Sequence, residues 1–301
     1  MKRVWKVLAP IILLSPGTTV LAQSTTVYVP RFSVLTERVT FPDSTQEGWR
    51  FWKSAVNVFN PTGERGTVAT VGVYGPDGAI PVDSSCSQAF SVEAGSGRDF
   101  DGCPAMRDQV GVATLSLPAS FIVTAEVERT LRKSWSDGNT PGPGQGYDLG
   151  EGRAPMPVFR ELFPAGTRVL AGPVNLGSPR LPEAGGISIE KNLRRVNVTL
   201  FNAGDEPAVF TIRALKLRRD STPILEQQVT LGPKQVQQLN RLPVPILVGD
   251  NDMKGGNAEY ELFTWITVGA TQPYLAYVSS VFDDPEPGAL PFEVFSPHRI
   301  D

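Results

Sequence analysis

The chain has 301 residues, with 28 Lys+Arg against 31 Asp+Glu, a formal net charge of −3 and one histidine. A mildly acidic balance gives no electrostatic footprint for nucleic acid, and a single histidine excludes a Cys2His2 zinc site. With 29 Gly and 27 Pro, chain breakers are frequent enough to divide the sequence into short segments.

At the N-terminus, Lys2, Arg3 and Lys6 precede the apolar run from Val7 to Leu14, and Val20-Leu21-Ala22 stands before Gln23. A basic start, a short apolar stretch and small residues before a cleavage point mark an export signal, so residues 1–22 are expected to be removed. The run contains Pro10, is followed by Pro16, and falls short of the roughly 20 residues of a spanning helix. No cysteine follows the cleavage point to carry a lipid, and no later apolar stretch reaches spanning length. The expected mature chain is soluble, secreted or periplasmic, without a built-in anchor or membrane span. Loss of the three basic residues takes its net charge from −3 to −6.

Beyond the signal, Val27–Phe32 opens a series of strand-like segments. In Trp49-Arg50-Phe51-Trp52, a strand would turn Trp49 and Phe51 one way and Trp52 the other. Trp49 and Trp52 are therefore candidate platforms for stacking a sugar or peptide, with core packing as the alternative. Ala55–Phe59 and Thr67–Tyr74 alternate in the manner of half-buried strands. Cys86 and Cys103, the only two cysteines, are expected to pair in an oxidising compartment and close a loop worth roughly 3 kcal/mol. Val112–Leu117 and Ile122–Val127 follow as strands. Ser134–Arg153, with Pro141-Gly142-Pro143-Gly144, reads as a hairpin loop or an interdomain linker.

In the second half, Val196–Phe201, Val209–Leu217, Phe263–Val268 and Tyr274–Val281 alternate again. Lys234–Leu239 comes nearest to a helical period, though a strand suits it equally. A last strand over Leu290–Phe295 and a disordered tip are expected to close the chain. Short strands rich in Val, Thr, Ile, Phe and Tyr, separated by turn residues, predict an all-β chain of antiparallel sandwiches.

The segments also repeat. Val56-Asn57-Val58-Phe59-Asn60-Pro61-Thr62-Gly63 and Val198-Thr199-Leu200-Phe201-Asn202-Ala203-Gly204-Asp205 each run a strand into a small polar turn before a second strand. Phe90–Gly95 matches Gln228–Pro233, Val112–Val127 matches Phe263–Val281, and Val27–Phe32 matches Met156–Glu161. Two copies of about 125 residues, each large enough for one core, are expected, over 23–153 and 154–301. The runs Val196–Ala208, Gln228–Pro233 and Tyr274–Asp284 resemble the immunoglobulin-like repeats of secreted bacterial proteins, among them the bacterial cell-adhesion-related domains. The resemblance implies two tandem immunoglobulin-like sandwiches and, at the level of function, presentation of loops to a partner.

Residues able to carry chemistry are few. His298 lies beside Pro297 near the C-terminus, where a frayed tail cannot hold a base against a nucleophile. No Gly-x-Ser-x-Gly and no phosphate-cradling glycine motif is present; Gly95-Ser96-Gly97 reads as a turn. Glu126, Glu128, Asp283, Asp284 and Glu286 are the carboxylates from which an acid–base pair for glycoside hydrolysis would come. Asp250-Asn251-Asp252-Met253-Lys254-Gly255, with Glu261 in twelfth place, has the spacing of a calcium loop with Asp250, Asp252 and Glu261 as ligands. Lys254 occupies the position of a third oxygen, and an acidic hairpin loop is the alternative. Asn197-Val198-Thr199 fits an N-glycosylation acceptor but lies within a predicted strand. The function these features point to is an exported, non-catalytic structural or binding module without cofactor, its partner an unidentified protein or glycan at the cell surface. A secreted carbohydrate-binding protein, or a glycoside hydrolase using paired carboxylates, is the alternative.

Overall fold

A computed structural model of the chain describes residues 24–32, 35–40, 47–80, 89–100, 109–133, 147–176, 194–216, 222–244, 247–248, 260–261, 263–282 and 292–300. The expected signal sequence, residues 1–22, lies outside them. The described residues contain no helix, and so none long and apolar enough to cross a membrane.

The first half supplies β1 (Ser24–Phe32), β2 (Leu35–Thr40), β3 (Glu47–Phe59), β4 (Gly66–Gly75), β5 (Gly78–Ala79), β6 (Phe90–Val92), β7 (Gly97–Phe100), β8 (Val110–Pro118), β9 (Ile122–Lys133) and β10 (Tyr147–Met156). The second supplies β11 (Arg168–Asn175), β12 (Arg194–Asn202), β13 (Ala208–Leu215), β14 (Leu225–Leu231), β15 (Val236–Leu239), β16 (Leu247–Val248), β17 (Tyr260–Glu261), β18 (Phe263–Ala270), β19 (Tyr274–Phe282), β20 (Phe292–Phe295) and β21 (His298–Arg299). Every described pairing is antiparallel.

Four sheets result, beside the small β16-β17 pair. Sheet S1 runs β1-β8-β4-β5, with β6 also on β4. Sheet S2 runs β10-β9-β3-β2, with β7 also on β3. Sheet S3 is β14-β13-β18-β11-β21, and sheet S4 is β15-β12-β19-β20. S1 and S2 enclose Val27, Val29, Val56, Val58, Leu115, Leu117 and Phe121, whereas S3 and S4 enclose Val198, Leu200, Phe210, Ile212, Ile266 and Tyr274. Alternation decides which side chains enter each core: along β3, Arg50, Trp52, Ser54, Val56 and Val58 are buried while Lys53 and Phe59 are exposed.

S4 is covered on both faces. Val196, Val198 and Leu200 of β12 enter the second core, and Phe201, Leu275, Tyr277, Val281 and Val236 join the first. The outer face of S4 thus packs on the outer face of S1, where Tyr74 lies 5.1 Å from Phe201 ring to ring. Burial on two sides explains why β12 is buried without a break from Val196 to Asn202 although its sequence alternates. Burial drives the Tyr277 hydroxyl far above the usual tyrosine range, opposed by Thr199 facing it. A raised folded pKa means stability that is present below the unfolded value near 10 and lost as pH rises above it. Tyr277→Phe is therefore expected to gain on the wild type by about 1.4 kcal/mol per pH unit above pH 10, measured by urea denaturation at a series of pH values.

Two buried asparagines close equivalent turns. Asn60, fully buried, donates from Nδ2 to Glu64 O (2.7 Å) and Val92 O (3.0 Å), and its Oδ1 accepts from Thr62 N (3.0 Å). Asn202, also fully buried, donates to Glu206 O (2.8 Å), Leu231 O (3.3 Å) and Gly232 O (2.8 Å), and its Oδ1 accepts from Gly204 N (2.9 Å). Each amide forms an Asx turn and ties it to the strand edge behind. At Gly66, after the first of these turns, an added Cβ would overlap the tip of the Phe121 ring. Gly66→Ala is expected to cost about 1–3 kcal/mol in a urea titration.

Several sequence expectations are corrected. The Gly/Pro-rich segment 134–153 is not loop throughout: from Tyr147 it forms β10 against β9, with a bulge at Asp148/Gly150, because a neighbouring strand supplies hydrogen bonds that glycines alone do not organise. Met156–Glu161 does not repeat the position of Val27–Phe32. Phe159 instead bridges Tyr28, with Tyr28 N donating to Phe159 O (2.8 Å) and Phe159 N to Tyr28 O (3.0 Å), and β11 takes the place beside β18 that β1 takes beside β8. The C-terminal tip is not frayed, since His298 and Arg299 pair with Leu170 and Val169. Of Lys234–Leu239, Val236–Leu239 forms a strand, β15, and Lys234 lies in the turn before it.

Candidate functional site

Among the described residues no other sheet covers the outer face of S2, and the register of its strands lays out the side chains in rows. Asp99, Asn57 and Thr124 form one row, Ala55, Glu126 and Pro155 the next, and Lys53, Glu128 and Arg153 the third. Ala55 is the smallest of these residues, and a groove of about 350 Å³ opens around it, lined by Asn57, Asp99, Thr124, Glu126 and Arg153. Asn57 Nδ2 donates to Asp99 Oδ1 (2.9 Å), while Arg153 reaches Glu126 through Nη1 (3.2 Å) and Glu128 through Nη2 (2.9 Å). Arg153 offsets part of the charge of Glu126 and Glu128, and Asp99 is held by the Asn57 amide, leaving an array of donors and acceptors suited to a polar ligand. Apolar side chains flank the array: half-buried Trp49 and Phe51 toward one end, and the cross-strand pair Phe59 and Ile122, both exposed, at the other.

The inner face of the same strands carries an unexpected charge. Arg50 and Arg129 are 3% and 6% exposed, at inward positions where the alternation otherwise places Trp52, Val56 and Val127. Trp52 is directly opposite Arg129 in register, and the Arg50 guanidinium lies over its ring, Cζ 6.0 Å from the centroid. Nε and Nη1 of Arg129 are buried and make no hydrogen bond. Burial first, and the charge of Arg50 second, lower the Arg129 guanidinium to about 10. The arginines occupy the end of the first core opposite the Asn60 turn. There β1 ends at Phe32, β4 at Gly75 and β9 at Lys133, and β8 and β10 begin at Val110 and Tyr147.

The residues expected from sequence are dispersed. Trp52 is 8% exposed and belongs to the first core, so only Trp49 of that pair remains on the outer face. Cys86 and Cys103 lie outside the described residues, as do Asp250, Asp252, Asp283, Asp284 and Glu286. Glu261 sits in β17, opposite Leu247. Glu126 and Glu128 are neighbours on β9, and both engage Arg153. His298 is exposed on β21. Asn197 is 3% exposed, with Oδ1 accepting from Arg241 N (3.1 Å), so it is not presented as a glycan acceptor. Among the described residues, no three His, Cys, Asp or Glu gather into a metal site. The two inward arginines were overlooked in the sequence, though their alternation phase marks them.

Comparison with known proteins adds no relative. No family model matches the chain, no curated protein matches it, and no solved structure matches its fold.

Proposed function

We propose that the chain is an exported, non-catalytic binding or structural module of two tandem immunoglobulin-like sandwiches, acting in adhesion or surface assembly with a protein or glycan partner. The observation that carries this reading is the same strand order in both halves. Immunoglobulin sandwiches place strands B, E and D in one sheet and C, F and G in the other. With β1, β3, β4, β8, β9 and β10 taken as B to G, S1 contains B-E-D and S2 contains G-F-C. With β11, β12, β13, β18, β19 and β20 taken likewise, S3 and S4 repeat both orders. In each half the D–E connection adds one strand to D (β6, β14) and one to C (β7, β15). The shared asparagine turn supports the duplication further. Such a scaffold serves by holding strand ends and sheet faces rigidly toward a partner.

Cell fractionation tests the reading. The full chain expressed in a Gram-negative host is expected in the periplasm or the medium, and exclusive recovery from the cytoplasm contradicts it. A second reading, carbohydrate binding, is favoured by the S2 groove, whose polar array on the same face as Trp49 and Phe51 suits hydroxyl-rich ligands. If it holds, binding on a glycan array drops at least about ten-fold, the loss of one or two hydrogen bonds, in the double variant Asn57→Ala/Glu126→Gln. Unchanged binding by that variant removes the groove from consideration.

A further inference from the structure

We propose that the outer face of S2 is an interaction surface for a second copy of this chain, which docks on it through the outer face of its own S3, so that copies add head to tail. The inference names a partner for the binding reading above and rests on its matching of the two halves. S2 and S1 enclose the first core, S4 and S3 enclose the second, and S1 meets S4. The sheets therefore stack in the order S2, S1, S4, S3. By strand order S1 of the first half matches S3 of the second, and S2 matches S4. Inside the chain, a sheet of the first kind packs on a sheet of the second kind, and the two faces left at the ends of the stack are again one of each.

The S2 end repeats the residues that make the internal contact. Phe201, just before Asn202, is flanked in register by Val236 and Leu275, and all three join the first core from S4. Phe59, just before Asn60, is flanked in the same way by Gly97 and Ile122. Phe201 and Leu275 are 2% and 3% exposed, whereas Phe59 and Ile122 are 37% and 49% exposed. The same cross-strand pair is covered in one half and open in the other, and an apolar pair held on an open sheet face is where docking gains most. At the far end of the stack, Val209 is exposed beside half-buried Thr211, and the missing side chain of Gly269 opens a groove of about 250 Å³ between Thr211, Thr267 and Thr271.

Charge also differs between the two ends. Among the described outward residues, S2 carries Asp99, Glu126 and Glu128 against Lys53 and Arg153, and S3 carries Arg168 and Arg213 against Glu226. The surplus is negative on one face and positive on the other, which orients an encounter between them. Where S4 has Tyr277 and Val281, S2 has Thr124 and Glu128, so the contact between copies is weaker than the internal one and reversible. Because the two faces differ, the contact is heterologous and propagates as an open chain unless its rotation closes a ring.

Sedimentation velocity on the purified mature chain, over about 1 μM to 1 mM, tests the proposal. The weight-average sedimentation coefficient is expected to climb with concentration and to pass the value of a dimer. Phe59→Lys/Ile122→Lys on S2 and Val209→Lys/Thr211→Lys on S3 are each expected to lower the association constant at least about ten-fold. Each variant keeps the face that the other has lost, so an equimolar mixture is expected to form dimers and stop there. Should a lysine variant fail to fold, Phe59→Ser/Ile122→Ser, which only removes apolar area, is expected to weaken association in the same direction. A monomer at every concentration overturns the proposal. A wild-type dimer that grows no further and that the S3 variant leaves intact also overturns it, since S2 would then pair with S2. Glycan-array binding by a chain that stays monomeric assigns the face to a glycan instead. Because purified protein is used, such failures leave the fractionation result, and the module reading it tests, standing separately.

Discussion

Asn202→Ala is expected to destabilise the protein by roughly 3–5 kcal/mol, far more than an exposed asparagine would. The side chain is fully buried, and its amide serves Glu206 O, Leu231 O, Gly232 O and Gly204 N at once. Truncation strands these groups where water has little access, and each buried polar group left unpaired carries a penalty beyond the hydrogen bond lost. Asn60→Ala is expected to behave in the same way, because Asn60 serves Glu64 O, Val92 O and Thr62 N. Urea denaturation followed by tryptophan fluorescence measures both. A loss below about 1 kcal/mol at both positions, typical of a surface site, would show that the turns do not depend on their amides.

Phe201→Ala is expected to cost about 3–5 kcal/mol and to separate the unfolding of the two halves. Phe201 is 2% exposed and belongs to the first core although β12 is a strand of the second half; its ring meets Tyr74 across the S1–S4 contact. Val236, Leu275, Tyr277 and Val281 enter the same cluster. An apolar contact of this kind couples neighbouring units, whereas a polar one leaves them to move independently. The wild-type chain should accordingly unfold in one calorimetric transition, with the variant showing two or a broadened one. Two resolved transitions in the wild type would mean that the S1–S4 contact contributes little.

Much of this architecture was legible in the residues. Alternation placed β3, β4, β8, β9, β12, β13, β18 and β19, since a strand with one buried face writes a period of two into its sequence. The two Phe-Asn turns are visible in the sequence, and Asn60 and Asn202 make similar hydrogen bonds in them. What escaped was set by partners distant in sequence. Nothing local distinguishes Val27–Phe32, which lies in β1, from Pro157–Arg160, which bridges it through Phe159. The glycines of β10 became a strand through pairing with β9. Tyr277 and Phe201 lie in plainly alternating strands, but nothing local shows that they face another sheet pair.

The site was less legible than the fold. Trp49 and Trp52 attracted attention as large aromatics, yet β3 turns Trp52 inward, and the groove on its other face is shaped by Ala55 between Asn57, Glu126 and Arg153. A small residue among polar neighbours carries no motif. Arg50 and Arg129 look like solvated charges until the phase of Trp52, Val56 and Val58 is extended to them. Burial, which gives those arginines their interest, depends on the sheet opposite.

Export underlies the functional account, and the intact mass of the protein recovered outside the cytoplasm, taken with and without thiol alkylation under non-reducing conditions, tests it most directly. The account predicts a chain beginning at Gln23 that takes up no alkylating reagent, as removal of residues 1–22 and a Cys86–Cys103 disulfide would require. A chain that retains Met1 and is alkylated at both cysteines would contradict it.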